Sequence, residues 1–551
     1  DTESITHTLK AINDFSAHAG PKLSMKKTRG IWLGSLKDHG YRQYENIRFT
    51  GNPIKVLGIY IGHKKEKCFH LNWTKRLDAL KKAAVFWKRR NLSLFGRVYV
   101  AKTFLMSKMV FVSSILKVPE EVKNEIKTVI FQYLWGGKRD KIKRSHVINE
   151  TLEGGLNMID VDSFLISLKA VWVPKLIAFE GKWTARFSLA CARQKIPEHY
   201  IWKTTCRNID KCQMLKNFPE FYQDVICAFN KAKHLKPLNR TSKYEIISEP
   251  LWGNELFKVN GHCMHFKNWM MAGVEYVKDL IDQEGNIMSD EDIYRIVGNK
   301  GNIMGQLYLV KKSIVKHLKH LDTSIAKYTK ISLQPTILWQ NKQILINNQK
   351  SKFFYTILKD RNKSNGHMES VYSRQFGFDN CRNVWRNVYK QKLTDIRIPK
   401  LREFNFKILN NIVPSGCLLH KWKSKISDKC EHCNSPENTE HMLFSCKRVK
   451  TLWNLISMSA GIQISWKVIV CGWPGYQNSE KLQCLNMIIV MISYGLFKIN
   501  SKCKFDGLDY STIDVNKVAL ETLLYYRSMS NFSFMSKMLI MFIERIIDIL
   551  Q

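Results

Sequence analysis

The chain is 551 residues long and carries 87 Lys and Arg against 47 Asp and Glu, for a formal net charge of +40 and a pI near 9.7. With 45% apolar and 11% aromatic residues it can bury several cores, which excludes a disordered basic tail, and its length predicts about three to five domains or subdomains. A positive field of this size on a folded chain attracts polyanions, nucleic acid first among them; an anionic membrane surface, or charge spread with no partner, are the other readings.

No stretch reaches the twenty or so uncharged apolar residues needed to cross a bilayer. The nearest, Leu485 to Phe497, is interrupted by Asn486, Ser493 and Gly495 and reads as a buried helix. Asp1 opens the chain without an initiator Met or a positive-then-apolar leader. The expectation is an intracellular protein of nucleus or cytoplasm, with reduced cysteines, no membrane partner and a missing N-terminal portion.

Residues 1–19 read as an amphipathic helix with Leu9, Ile12, Phe15 and Ala19 at helical intervals, stopped by Gly20-Pro21. Short β-prone runs follow at Gly30 to Leu33, Asn46 to Phe49 and Ile54 to Ile61, separated by Gly34, Gly40, Gly51-Asn52-Pro53 and Gly62. This makes a small α+β start. From Trp73 the period becomes helical: Trp73, Leu77, Leu80, Ala84 and Trp87 share a stripe, and Lys75, Lys82 and Arg89 lie on the far side. The basic character recurs at Arg97, Lys102 and Lys108, then at Lys138, Arg139, Lys141, Lys143 and Arg144 after Gly136-Gly137. One such ridge is as well explained by solvation, but three within a short span favour a surface that tracks phosphates.

The middle, from about 150 to 390, is largely helical by period, with Trp172, Trp183, Trp202, Trp252, Trp269 and Trp339 scattered through it and no motif assignable to a reaction. Ser289-Asp290-Glu291-Asp292 reads as a helix cap rather than a metal site. Lys311-Lys312 and Lys316 to Lys319 extend the basic composition. Farther on, Leu401, Phe404, Ile408 and Ile412 form a stripe that Pro414-Ser415-Gly416 ends.

Cys430, Cys433, His441 and Cys446 then spell C-x2-C-x7-H-x4-C. Zinc takes four soft or borderline ligands in a tetrahedron; two cysteines three apart grip one side and a short loop returns a His and a third Cys. Ser435, Pro436 and Asn438 suit the turn between them, and His432 is a bystander. Buried free cysteine is the competing explanation for any one of these thiols, though not for the full spacing. Past Trp453 and Trp473 the chain runs into isoleucine- and methionine-rich sequence that predicts a closing helical bundle.

Four segments together resemble the reverse transcriptase of LINE-class (non-LTR) retrotransposons, from the late palm to the C-terminus. Asn13-Asp14-Phe15-Ser16 through Gly20-Pro21-Lys22-Leu23-Ser24-Met25-Lys26-Lys27-Thr28 is similar to polymerase motif D, with Ser24 where Asn is usual. Val56-Leu57-Gly58-Ile59-Tyr60-Ile61 resembles the motif E strand, the primer grip. Leu92-Ser93-Leu94-Phe95-Gly96-Arg97-Val98 with Lys102-Thr103 resembles the thumb, followed in order by Leu134-Trp135 and Gly154-Gly155-Leu156. Lys400-Leu401-Arg402-Glu403-Phe404 to Trp453 is similar to the reverse-transcriptase zinc-binding region.

The resemblance implies a mainly α fold with a small α+β start: end of a palm at 1–70, helical thumb with basic faces at 71–150, helical middle region at 151–390, zinc-binding region with its CCHC knuckle at 391–455, and C-terminal helical bundle at 456–551. It implies that Leu57 and Gly58 face a primer end, that Lys27 is the motif D lysine able to protonate departing pyrophosphate, and that element RNA, target DNA and primer-template are the partners. Zinc is the structural cofactor expected; magnesium belongs only to an intact polymerase. Two metals in such enzymes sit on carboxylates that include an adjacent pair in Tyr-x-Asp-Asp, and no Asp-Asp pair occurs in this sequence. The expectation is a C-terminal fragment inactive as a polymerase alone. A domesticated zinc-knuckle protein that binds nucleic acid, and a scaffold for protein partners, are the alternatives.

Overall fold

The computed structural model describes every residue except 1, 38–42, 45, 138, 179–180, 234–245, 299–301, 319–335, 341, 365, 378–380, 423–425, 474–478, 507, 509–513 and 530–535. It is mainly α, 64% helix and 6% strand, with a small N-terminal sheet as the sequence predicts. Two compact units interleave along the chain: one holds 1–83, 105–129 and 161–361, the other 84–104, 130–160 and 362–551.

The first unit opens with helix Thr2–Ala19. Its predicted apolar stripe is not a core face, because Phe15 is 65% exposed and Ile12 also faces solvent. A three-stranded sheet follows, in which Arg29–Gly30 pairs parallel and Gln43–Tyr44 antiparallel to Ile47–Phe49. The run expected as a single strand over Ile54 to Ile61 is instead a hairpin, Ile54–Val56 against Ile59–Ile61. Leu57 and Gly58 form its two-residue tip with φ of 46° and 92°, the pair of left-handed residues that a tight hairpin matched to strand twist requires. Asn72 braces the second strand by accepting from Tyr60 N at 2.9 Å and donating to Tyr60 O at 2.8 Å.

The large core of this unit lies in the middle region. Helix Val161–Ala170 packs on Ser107–Ile115, Glu220–Lys233 and Ser351–Arg361. Trp252 and Trp269 are fully buried and satisfy their indole N–H groups on Val274 O at 2.7 Å and Gln306 Oε1 at 2.9 Å, as buried indoles must. Ser289 accepts from Asp292 N at 3.1 Å and starts helix Asp290–Val297, so that acidic run is a cap. Lys319 of the predicted basic stretch lies outside the described residues.

The second unit is built around helix Glu480–Asp506, flanked by Pro399–Leu409, Val515–Arg527 and Lys537–Leu550. This helix is longer than the apolar run anticipated, and an 18-residue window of it reaches a mean hydropathy of 1.6, apolar enough to cross a membrane; 67% of that window is buried in the protein. Close approach explains its glycine: a Cβ on Gly495 would lie 2.3 Å from Thr522 Oγ1. The Pro399–Leu409 helix ends before Ile412, because Asn411 takes a left-handed φ of 50°. Gly154-Gly155 is equally determined by packing, since a Cβ would strike the Tyr389 ring at 2.5 Å or Asn149 O at 2.1 Å. Beside it, Glu153 pairs with Lys363 at 2.9 Å and Arg382 at 2.6 Å, and Asn149 Nδ2 donates to Ser364 O at 2.7 Å.

Lys392 is 1% exposed in this core, donating to Val468 O at 2.9 Å. Burial pushes its ammonium down to about 7. Between that value and the roughly 10.4 of an unfolded lysine, the unfolded chain binds more protons, so stability rises with pH across the window; below about 7 the cost of the buried charge is fully present. Lys392→Met should therefore raise the unit's unfolding temperature at neutral pH by about 2–4 °C and flatten this pH dependence. Calorimetry of both proteins at several pH values checks it; a lower temperature for the variant would mean that the Val468 hydrogen bond outweighs the buried charge.

Candidate metal centre and basic surface

The four predicted ligands converge. Among the described residues, Cys430, Cys433, His441 and Cys446 bring their ligand atoms within 4.8 Å of one another. A tetrahedral zinc with bonds of about 2.3 Å to sulfur and 2.0 Å to nitrogen places its ligands about 3.5–3.8 Å apart, so the residues present fit that ion. Cys433 Sγ and His441 Nε2 stand 3.1 Å apart. Cys430 and Cys446 are buried, Cys433 is half-buried, and His432 is exposed and outside the group.

Local chain geometry creates this convergence. The first two ligands sit on a turn closed by Asn434 N to Cys430 O at 2.9 Å and Cys430 N to Ser435 O at 2.8 Å, with Asn434 left-handed at φ 57°. Asn438 Oδ1 accepts from His441 N at 2.7 Å and starts the helical turn His441–Ser445. Cys446 then opens helix Lys447–Ala460. A hydrogen bond with Cys446 favours the Cys430 thiolate, while the same interaction and burial push the Cys446 thiol up. A cation would displace the remaining thiol proton and bind both sulfurs.

A second feature carried no sequence signal. Glu437, in the loop between Cys433 and His441, is 2% exposed. It accepts from Gly416 N at 3.0 Å and Asn500 Nδ2 at 3.3 Å and pairs with Lys504 at 3.0 Å. A Cβ on Gly416 would lie 2.8 Å from Lys504 Nζ, so the glycine of Pro414-Ser415-Gly416 is there to admit the lysine, and it begins helix Gly416–Trp422. The knuckle loop is thereby tied to the long helix Glu480–Asp506.

Each of the other predicted site residues that is described has its own local setting. Lys27 is exposed in the turn closed by Lys27 N to Ser24 O at 3.0 Å. Leu57 is 89% exposed at its hairpin tip, and Gly58 O accepts from Arg76 Nη2 at 3.0 Å. Over residues 70–88 the stripe residues Trp73, Leu77, Leu80 and Ala84 are buried and Trp87 is half-buried, while Lys75 and Lys82 are exposed, as is Arg89 just beyond. Arg139 and Lys143 are exposed, Lys102 is half-buried, and Lys138 lies outside the described residues. Two cations have structural work: Arg97 donates to Leu134 O at 3.0 Å, and Arg144 pairs with Asp140 at 2.8 Å over the Phe131 ring.

With this geometry in view, residues 367–453 match the family model described as zinc-binding in reverse transcriptase. The match spans both the knuckle and the helix Pro399–Leu409. Residues 367–453 are thus similar to a reverse-transcriptase zinc-binding region and carry within them a metal-ready Cys/His centre.

Proposed function

We propose that the chain is the C-terminal portion of a LINE-class, non-LTR retrotransposon reverse transcriptase, and that it grips RNA and DNA without polymerising by itself. The observation that carries this reading is the zinc-ready knuckle within a matched reverse-transcriptase region, on a chain of net charge +40. Exposed Lys75, Lys82, Arg89, Arg139 and Lys143 supply cations for a phosphate backbone, and Leu57, exposed at the hairpin tip beside half-buried Gly58, suits contact with a primer end. Element RNA, target DNA and primer-template are the partners proposed; zinc holds the knuckle, and magnesium enters only with the catalytic carboxylates of a complete polymerase. Such a protein works in nucleus or cytoplasm.

Gel-shift titration against a primer-template duplex and a structured RNA, at several salt concentrations, tests the grip, and added dNTPs with magnesium test for extension. Six phosphate contacts would lower affinity about a thousandfold between roughly 50 and 200 mM salt. Tight, salt-steep binding without extension is the expected result. Extension by this chain alone would overturn the non-polymerising assignment, and no binding at low salt would overturn the nucleic-acid assignment.

A further inference from the structure

Two segments far apart in sequence, Leu92 to Val98 and Lys400 to Phe404, meet within one unit. The Leu94 amide donates to Glu403 Oε2 at 3.0 Å, the Arg402 guanidinium lies 3.8 Å from the Phe95 ring centroid, and Phe95 meets Phe406 edge-on at 6.4 Å. With helix Glu480–Asp506 they enclose a cavity of about 160 Å³ whose lining includes Arg97, Lys400, Glu403, Lys407, Tyr494 and Phe497.

The cavity combines two chemistries. Part of its wall is aromatic, with the Phe404 centroid 5.4 Å from that of Tyr494 and 5.2 Å from that of Phe497. Another part is cationic. Glu403 is the one carboxylate among the described lining residues, and it is committed to Lys407 at 2.6 Å and to the Leu94 amide. Arg97 gives one contact to Leu134 O; a guanidinium carries five N–H donors, so capacity for a phosphate remains. Lys400 is exposed and adds a second positive charge. The volume is below the roughly 300 Å³ at which pockets for drug-sized molecules begin, so it admits a base alone, with the sugar and phosphate left at the rim beside the cations.

We propose that this cavity takes a single unpaired nucleotide of an RNA or DNA strand, its base against Tyr494 and Phe497 and its phosphate on Arg97 and Lys400. The inference rests on the nucleic-acid reading above and narrows it to one site. An aromatic wall accepts any base, because every base has a π face, whereas a paired base remains in its duplex stack and cannot enter.

The test uses the full chain and fluorescence anisotropy at fixed salt, with about ten-nucleotide oligo-dT and oligo-rU strands and a duplex of equal length. Tyr494→Leu and Lys400→Glu should each weaken binding to the single strands about tenfold, the size of one lost stacked base or phosphate contact, and shift duplex binding by less than about twofold. Lys182→Glu, an exposed charge reversal in the other unit, should move neither by more than that. Thermal melting checks that the variants fold, and Lys400 is exposed enough for its replacement to leave the core intact. Comparing oligo-dT with oligo-rU identifies which strand is preferred. Unchanged single-strand affinity in Lys400→Glu, or equal losses on single strand and duplex, would overturn this inference while leaving the broader reading in place; failure of the unaltered chain to bind any of the three probes would overturn both.

Discussion

Cys433→Ser should strip zinc from the protein and unfold the knuckle. Cys433 is half-buried and serine is close to it in shape, so the substitution removes a ligand without opening a large cavity. Structural zinc contributes about 10–16 kcal/mol in small zinc-finger peptides, as much as an ordinary domain's whole stability of about 5–15 kcal/mol. Without the ion, Cys430 and Cys446 are left buried with no metal between them, and the turn at Asn434 keeps its backbone bonds and the Glu437 tie but loses its link to His441 and Cys446. The expected readouts are loss of zinc by elemental analysis and new protease cleavage between about residues 428 and 446, with the rest of the chain resistant. Acid should act in the same direction, because the ligands bind zinc only when deprotonated. Metal content equal to that of the unaltered protein would show that Cys433 is not a ligand.

That centre was legible in the sequence because its chemistry is local: four ligands within seventeen residues or so need only short turns to meet, and ligand spacing records those turns. The stripe of Trp73, Leu77, Leu80 and Ala84 was legible for a similar reason, since a buried helix face repeats with the helix itself. Periodicity also misleads. Leu9, Ile12 and Phe15 repeat correctly on a real helix, yet Phe15 stays exposed, because a period fixes which residues share a face and not whether another element covers it. Leu57-Gly58 sits inside an apolar run that reads as one strand, and only a left-handed φ at both residues reveals the hairpin. Ile412 continues the stripe of Leu401, Phe404 and Ile408 in number only, for Asn411 has already ended the helix.

The interleaving of the two units had no local signature at all. Leu94 N reaches Glu403 across 309 positions, and Gly154 is a glycine because Tyr389 occupies the space of its Cβ. Contacts of that sequence separation leave only isolated residues in the sequence: a glycine, a carboxylate, an arginine. The same holds for Glu437, an ordinary acidic loop residue until the fold buries it against Lys504.

Glu437→Ala should consequently be among the most damaging single changes outside the zinc ligands. It would leave the Lys504 ammonium, 5% exposed, without its counter-charge and remove the acceptor for Gly416 N and Asn500. Breaking a buried ion pair by deleting one partner costs about 3–5 kcal/mol, because the remaining charge stays in a poor solvent. Glu437→Gln should cost less, since an amide oxygen can still accept from Gly416 N while the charge is lost. The decisive variant removes both charges: Glu437→Leu with Lys504→Met should recover much of the lost stability, as an apolar pair of similar volume often equals a buried ion pair. Denaturant unfolding in excess zinc, arranged as a double-mutant cycle, measures the coupling. If the single substitutions simply added, the two side chains would be energetically independent, and the knuckle loop would be held to helix Glu480–Asp506 by its metal and backbone rather than by this pair. If the double variant recovers stability but releases zinc faster than the unaltered chain, the charges serve to fix the loop's position over the long helix, and the apolar pair replaces their energy without replacing their geometry.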